Sequence, residues 1–271
     1  MSDFDRLAPT RRAALGLLGA AAVAGTLASC SQPGTGAPTA DAPVTAETVA
    51  EAPEVPAAPE TPAVPTFARD FQVPPIQGGL VPVITRVTTK NPIVFLTIDD
   101  GVTKKPEAIE LLRKYGYPVT MFLTKNFVQE DPEYFRQLMR DGDFVENHTV
   151  SHDVSMSTKS YPYQLAEIKG MQEFAQATFG RRPTLFRPPG GAYSATMRKA
   201  CADAGLRAII DWETKANAGH MDYQYGNSLR PGDIVLMHFR PEFAADLAAF
   251  RAAHLAAGLT VVNLEHFLGV E

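Results

Sequence analysis

The chain has 271 residues and a formal net charge of −5, and this charge is unevenly distributed. Residues 1–29 carry a charge of +1 and residues 31–65 a charge of −5, which leaves −1 for the part from residue 66 onward. A nearly neutral region of about 200 residues without a basic cluster suits one globular domain and argues against nucleic acid as a partner.

Residues 1–29 are predicted to be an export signal. Arg11 and Arg12 precede an uncharged run rich in Ala, Leu and Gly that ends at Ser29. This is the order of a charged n-region and an apolar h-region, and the paired arginines indicate the twin-arginine route. The run ends in Leu-Ala-Ser-Cys at Cys30, which resembles a bacterial lipobox. We expect a lipidated Cys30 at the outer face of the cell membrane; the alternative, a membrane-spanning helix, would be short for a bilayer.

Residues 30–66 are predicted to form a disordered tether. The stretch is rich in Pro, Ala, Thr and Glu, and it has no aromatic and no basic residue between Ser31 and Pro65. Such a composition cannot bury enough apolar surface to fold, and the prolines favour extended polyproline II. At roughly 3 Å per residue the tether would reach on the order of 100 Å. Residues 67–271 are then expected to be the folded domain.

From residue 93 onward, predicted strands and helices alternate. The strands are expected at 93–97, 118–123, 144–147, 184–187, 208–212, 233–238 and 259–264, with a long loop between the fifth and the sixth. The helices are expected at 105–115, 132–140, 163–179, 192–204 and 241–257. This alternation predicts a parallel sheet, and about seven such units favour a barrel. In barrels the active site gathers at the carboxyl ends of the strands.

Two adjacent carboxylates, Asp99 and Asp100, close the first of these strands. Like charges a few ångströms apart resist joint ionisation, and a buried carboxylate needs a partner. A cation would resolve both problems, so we expect a metal beside Asp100. Gly101 permits the turn that would bring both side chains to one cleft. The alternative is an Asp-Asp-Gly surface turn, which is the common setting of that triplet alone.

His148 and His152 follow the strand at 144–147. Histidines four residues apart face the same way if their loop makes one helical turn. With Asp100 they would form a three-ligand site with open coordination positions, as in catalytic zinc centres. Two histidines and one carboxylate also bind non-haem iron in oxygenases, which we expect on all-β scaffolds.

Two further polar motifs follow strands. Arg187 begins Arg-Pro-Pro-Gly-Gly, in which prolines such as Pro188 fix the backbone and glycines such as Gly190 allow close approach of a ligand. His238 follows Leu236 at the end of a strongly apolar strand. A lone histidine there has either a structural or a catalytic role, and its place at the active end of the sheet leaves both open.

Four motifs in this order and spacing resemble the polysaccharide deacetylases of the NodB-homology type, carbohydrate esterase family 4. They are Asp-Asp at 99–100, His-Thr-Val-Ser-His at 148–152, Arg-Pro-Pro-Gly-Gly at 187–191 and Leu-Met-His at 236–238. The resemblance covers residue 83 to the C-terminus. It implies a distorted (β/α)7 barrel that removes N-acetyl groups from amino-sugar polymers. The implied cofactor is a divalent metal, with zinc expected first and cobalt, nickel or manganese as alternatives.

The resemblance also implies a role for each motif residue. The metal ligands would be Asp100, His148 and His152. The catalytic residues would be Asp99 as the base, Arg187 as the arginine that orients it, Tyr193 as donor of a backbone N–H to the oxyanion hole, and His238 as the general acid. Substrate contacts are expected from Pro188, Gly190, Trp212 and Leu236, of which Leu236 would form the apolar wall of the acetyl pocket.

One position departs from the family pattern. The family usually has an aspartate three residues after a tryptophan such as Trp212, and that aspartate is coupled to the catalytic histidine. Here the position holds Lys215. A cation near His238 would disfavour its imidazolium form, and Asp211 or Glu213 are candidate substitutes. Trp212 either stacks on a sugar or is a core residue.

The expected function is therefore deacetylation of a cell-wall or extracellular N-acetylated glycan by a monomeric, exported, membrane-anchored enzyme. Two alternatives stay open. The first is a catalytically silent glycan-binding lipoprotein, which only the departure at Lys215 supports. The second is an esterase that removes O-acetyl groups from xylan with the same site.

Overall fold

The computed structural model describes residues 66–271. The predicted signal, the lipidation site Cys30 and nearly all of the predicted tether lie outside the described residues. Within residues 66–271, each helix is too short or too polar to cross a membrane.

The described part of the chain alternates strands and helices from residue 83 onward. The strands are β1 (Val83–Ile84), β2 (Ile93–Asp100), β3 (Val119–Leu123), β4 (Phe144–Asn147), β5 (Leu185–Phe186), β6 (Ala208–Ile210), β7 (Thr214–Asn217), β8 (His220–Tyr223), β9 (Ile234–His238) and β10 (Thr260–Val261). The helices are α1 (Pro106–Tyr115), α2 (Lys125–Val128), α3 (Pro132–Arg140), α4 (Tyr161–Phe179), α5 (Ala195–Asp203), α6 (Phe243–Ala256) and α7 (Leu264–Leu268).

The strands form one sheet in the order β1-β6-β5-β4-β3-β2-β9-β7-β8, and β10 pairs with β2. All pairs are parallel except the β7–β8 hairpin. Just after β1, Arg86 forms an antiparallel bridge with Asp233, and the Val87 N–H donates to the Gly232 carbonyl at 2.9 Å. The segment from β1 to residue 87 therefore joins the β6 side of the sheet to the start of β9. The expected distorted α/β barrel is confirmed.

The inward-facing side chains of β2 change from apolar to polar along the strand. All eight residues of β2 are buried. Ile93 and Phe95 belong to an apolar cluster that fills the barrel, and α7 closes this cluster from below. Thr97 and Asp99 follow on the same face, because alternate residues of a strand share a face. The barrel therefore has an apolar floor and a polar mouth at the carboxyl ends of its strands.

The outward-facing residues of the sheet pack under the helices. Leu96 and Ile98 of β2 lie in a second cluster that includes residues of α1, α3, α4 and α6. Fully burying an aliphatic side chain of this size contributes about 1.5–3 kcal/mol, so this layer holds the helices against the barrel.

Two predicted elements were wrong. The predicted loop between β6 and β9 contains the β7–β8 hairpin, whose turn residues Ala218 and Gly219 both have positive φ, at 51° and 78°. Alanine is rare at such a turn position, so the sequence lacked the usual Asn-Gly or Asp-Gly signal. The predicted last strand ends at Val261, because the Asn263 side chain accepts from the His266 N–H at 2.9 Å and begins α7.

Candidate active site

The end of β2 places two carboxylates at the barrel mouth. Asp99 and Asp100 are only 2% and 4% exposed. Strict alternation would turn Asp100 to the outer face with Ile98. Instead Asp100 has φ of 74°, which turns the chain at the end of the strand. A left-handed conformation in a residue other than glycine costs about 1–3 kcal/mol and is typical of functional sites.

Gly101 is required at the next position for two reasons. Its φ is 84°, which favours glycine, and a Cβ there would lie 2.5 Å from Cγ1 of Val128. The close approach of α2 therefore holds the turn after the two carboxylates.

Arg187 holds Asp99 in place. Its Nη1 donates to Asp99 Oδ1 at 2.7 Å and to Thr97 Oγ1 at 2.8 Å, and its Nε donates to the Ile210 carbonyl at 3.1 Å. The arginine is fully buried, with its guanidinium 4.3 Å from the ring centre of Phe122. A buried pair with these additional hydrogen bonds fixes the orientation of the carboxylate.

Three potential metal ligands converge beside Asp99. Asp100 Oδ1 lies 3.1 Å from His152 Nε2 and 3.5 Å from His148 Nε2, and the ligand atoms all lie within 4.8 Å of one another. Asp100 Oδ1 is buried and has no hydrogen-bond partner. An unpaired buried carboxylate oxygen is costly, and two imidazole nitrogens with one carboxylate suit a divalent transition metal. The residues therefore fit a metal ion.

The tautomer of His148 suits this role. Its Nδ1 lies 2.7 Å from the carbonyl oxygen of Arg187. Because a carbonyl only accepts, Nδ1 carries a proton, so that Nε2 presents its lone pair to the ligand cluster whenever the imidazole is neutral.

The histidine loop is not the helical turn that the spacing suggested. Thr149 and His152 have positive φ of 73° and 58°. The loop is held instead by Glu167 of α4, whose Oε2 accepts from the N–H groups of Val150 and Ser151 at 3.1 and 2.8 Å. The two imidazole rings still meet, with their centres 4.9 Å apart.

The electrostatics of the site reflect its burial. Burial alone would raise the pKa of Asp100, but the neighbouring His148 and His152 imidazoles lower it below its usual value. Burial and, to a smaller extent, the charge of Arg240 lower the pKa of His238 to about 4, against the opposing effect of Asp99. His238 therefore rests in its neutral form at pH 7 in the free protein.

His238 lies directly beside Asp99, since the two residues are in register on β9 and β2. Leu236, which is 3% exposed, lies in register with Thr97 one layer below. The structure thus brings the predicted base, the predicted acid and the predicted pocket wall to one part of the mouth.

The loop after β5 carries the remaining predicted substrate contacts. Pro188 is extended, and Gly190 has φ of 68° in a short 3-10 turn. Tyr193 is 44% exposed at the surface. Trp212 packs from the other side, because a Cβ on Gly191 would lie 3.0 Å from its ring. The Trp212 ring centre also lies 5.5 Å from the Arg187 guanidinium, so the tryptophan packs against the buried arginine.

Lys215 and its two candidate substitutes, Asp211 and Glu213, have different surroundings. Glu213 is engaged away from the base, where it accepts from Thr85 Oγ1 at 3.0 Å and from Arg230. Asp211 interacts electrostatically with Arg187 and Asp99, and burial raises its pKa to about 6. Lys215 forms an ion pair with Asp222, with 3.6 Å between Nζ and Oδ2. Of the two proposed substitutes, Asp211 is therefore the one near the site.

Three residues of the site were missed by sequence reasoning. Thr97 binds Arg187, Glu167 holds the histidine loop, and Arg240 lies with Nη2 3.5 Å from Asp100 Oδ2. Arg240 comes two residues after His238, and this position just beyond the end of a strand is a sequence signal for a site residue. Glu167 lies in the middle of a long helix and gives no such signal.

Comparison with known proteins finds relatives of one family. The sequence profile described as polysaccharide deacetylase matches residues 86–209. The chain is 39% identical over 197 residues to an uncharacterized protein of Streptomyces coelicolor, covering 70% of this chain and 78% of that protein. It is 30% identical to a chitooligosaccharide deacetylase of Azorhizobium caulinodans, covering 64% and 87%. It is 28% identical to a peptidoglycan-N-acetylglucosamine deacetylase of Bacillus cereus, covering 58% and 76%.

Solved structures show the same fold. A family 4 carbohydrate esterase from Streptomyces lividans in complex with acetate has a TM-score of 0.52 at 28% identity, covering 62% of this chain and 88% of that one. A family 4 pseudoenzyme from Bacillus anthracis has a TM-score of 0.60 at 22% identity, covering 69% of each chain, and at that identity the likeness concerns the fold alone. Sequence, fold and relatives agree that the chain belongs to the polysaccharide deacetylases, carbohydrate esterase family 4.

Proposed function

We propose that this chain is a divalent-metal-dependent hydrolase that removes N-acetyl groups from an amino-sugar polymer such as peptidoglycan or a chitin-like glycan. The observation that carries the proposal is the placement of Asp99, held by Arg187, directly beside the ligand cluster of Asp100, His148 and His152. The names of the relatives, which act on peptidoglycan and chitooligosaccharides, support the substrate class.

The metal would be held by Asp100, His148 and His152, with zinc as the first candidate and cobalt, nickel or manganese as alternatives. When bound, such an ion polarises the amide carbonyl and lowers the pKa of a water toward 7. Arg240 beside Asp100 Oδ2 keeps the second oxygen of that ligand oriented.

Asp99 is proposed to accept the proton of the attacking water. Its Oδ1 is taken by Arg187, so Oδ2 is the oxygen left for the proton, and Oδ2 lies 3.7 Å from His148 Nε2. A positioned base of this kind contributes typically about 10²–10⁴-fold in rate.

The developing oxyanion and the leaving amine need partners of their own. The backbone N–H of Tyr193 is the proposed oxyanion donor, and loss of one such donor costs about 3–4 kcal/mol in the barrier. His238 is proposed to protonate the leaving amine. Because burial keeps it neutral in the free protein, the proton that it donates has to reach it during turnover.

Acetate release from peptidoglycan, chitooligosaccharide and acetylxylan, with and without a chelator, tests the proposal. Chelator-sensitive release from an N-acetylated glycan is the expected result. Release from acetylxylan alone would indicate an O-acetyl esterase. Binding of glycan without any acetate release would indicate a catalytically silent protein and would refute the proposed hydrolase.

We further propose that the enzyme is exported and anchored by a lipid on Cys30, with its domain facing the cell wall. The support is the sequence of residues 1–30. An anchor suits an insoluble substrate close to the membrane, since two acyl chains are enough for stable attachment.

A further inference from the structure

The β7–β8 hairpin extends the sheet on the side of the strand that carries His238. It lies outside the region that the family profile matches, which ends at residue 209. β7 runs parallel to β9, with Lys215 opposite Leu236. Residues opposite each other on neighbouring strands share a face. Lys215 therefore faces the mouth as Leu236 does, and Asn217, two residues further on, faces it as His238 does.

The second strand of the hairpin adds two more polar side chains to this face. Asp222 lies opposite Lys215, and His220 lies opposite Asn217. Asp222 connects Lys215 and His220, since its Oδ2 is 3.6 Å from Lys215 Nζ and its Oδ1 is 3.5 Å from His220 Nε2. We call these four residues the hairpin face. The side chains of Lys215, Asp222 and His220 are 31%, 37% and 62% exposed, so the face is open to a ligand.

The back of the hairpin is anchored. Ala216 is 1% exposed, and Met221 and Tyr223 pack against the cluster under α6. At the turn, the Gly219 N–H donates to Asp246 Oδ1 of α6 at 2.8 Å. A face held in this way presents its polar groups without a large loss of conformational entropy on binding.

We propose that the hairpin face binds the sugar unit next to the one that is deacetylated. The inference rests on the proposed function and names a part of its substrate site. Sugar rings offer hydroxyl and acetamide groups, which need both donors and acceptors. The face supplies ammonium donors from Lys215, carboxylate acceptors from Asp222, an amide with both kinds of group from Asn217, and the imidazole of His220.

The formal charge of the hairpin face selects among glycans. The charges of Lys215 and Asp222 cancel and Asn217 is uncharged, so the face carries no net formal charge from these three residues. It therefore suits an uncharged hexosamine better than a unit that carries a carboxylate.

The test compares binding of N-acetylglucosamine and of its tetramer by calorimetry, which needs no turnover. One variant combines Asn217→Ala with His220→Ala, and a second combines Lys215→Met with Asp222→Asn. Each should weaken binding of the tetramer by about two- to tenfold per lost hydrogen bond and leave binding of the monomer unchanged. The matched control is Lys199→Met with Asp203→Asn, which removes another exposed ion pair, on α5, and should bind both sugars as the wild type does.

Unchanged binding of the tetramer in both hairpin variants would overturn the inference. An equal loss of binding for monomer and tetramer would also overturn it, because that would show a general effect on the site. A wild-type protein that binds neither sugar would overturn it as well. Hairpin-dependent binding without acetate release by the wild type would refute the proposed hydrolase and leave the sugar-binding face standing. Acetate release by the wild type together with unchanged tetramer binding in the hairpin variants would support the proposed hydrolase and refute the sugar-binding face.

Discussion

Asp99→Asn separates the proposed base from the proposed ligands. The change removes a charge at nearly constant volume from a residue that is 2% exposed. The amide cannot take the proton of the attacking water, so acetate release should fall by about 10²–10⁴-fold. The three ligand side chains are untouched, so metal binding should decrease only modestly.

The same substitution should also destabilise the domain. Arg187 is fully buried and donates to Asp99 Oδ1 at 2.7 Å. Loss of the whole partner of a buried pair costs about 3–5 kcal/mol, but asparagine keeps an acceptor oxygen. A hydrogen bond to a charged group is worth about 1.5–3 kcal/mol, which we take as the expected loss. For a domain of this size the melting temperature should fall by about 3–12 °C.

Three measurements on purified variants check this prediction: acetate release from a chitooligosaccharide, metal content after dialysis, and the free energy of unfolding in denaturant. Asp100→Asn is the matched comparison, and it should lose metal as well as activity. Asp203→Asn is the control for an exposed carboxylate and should change none of the three. Near-normal activity of Asp99→Asn would refute its role as base, and metal loss as large as that of Asp100→Asn would show that Asp99 is itself a ligand.

Four other outcomes are expected. His148→Ala and His152→Ala should each lose metal on dialysis while the fold survives in circular dichroism, and unchanged metal content in both would refute the ligand set. Gly101→Ala should lower the free energy of unfolding by about 1–3 kcal/mol, because the new methyl group lies 2.5 Å from a valine of α2 at a φ of 84°. Burial raises the pKa of Asp143 from 3.8 to about 7, so its contribution to stability is present below pH 3.8 and is lost as the pH rises toward 7. Asp143→Asn should flatten that part of the stability profile in denaturant titrations, and an unchanged slope would contradict the assignment. Cys30→Ser should move the protein from the membrane fraction to the soluble fraction, and retention would instead indicate a spanning segment.

The strands that form the site could be predicted because each begins with apolar residues and is closed by polar ones. β2, β4 and β9 follow this pattern, and their carboxyl ends meet at one mouth because parallel strands with helical connections must point the same way. Hence the strand pattern was enough to place Asp99, His148 and His238 together.

The hairpin and the support of the histidine loop could not be predicted in this way. β7 and β8 are short, and their turn has alanine where asparagine, aspartate or glycine is usual. Glu167 holds the histidine loop from a helix 16 residues away in the chain, and periodicity does not distinguish it from a solvated glutamate.

The sequence by itself determined the alternation of strands and helices, the family, and the residue types at the site, because these depend on local patterns and on motif order. Tertiary structure alone decided how the groups are oriented. Asp99 and Arg187 are 88 residues apart, and the left-handed turn at Asp100 depends on the packing of α2 against Gly101. It also decided that the hairpin face lies on the same side of the sheet as His238, since strand register follows from contacts between distant segments and from the twist that closes the barrel.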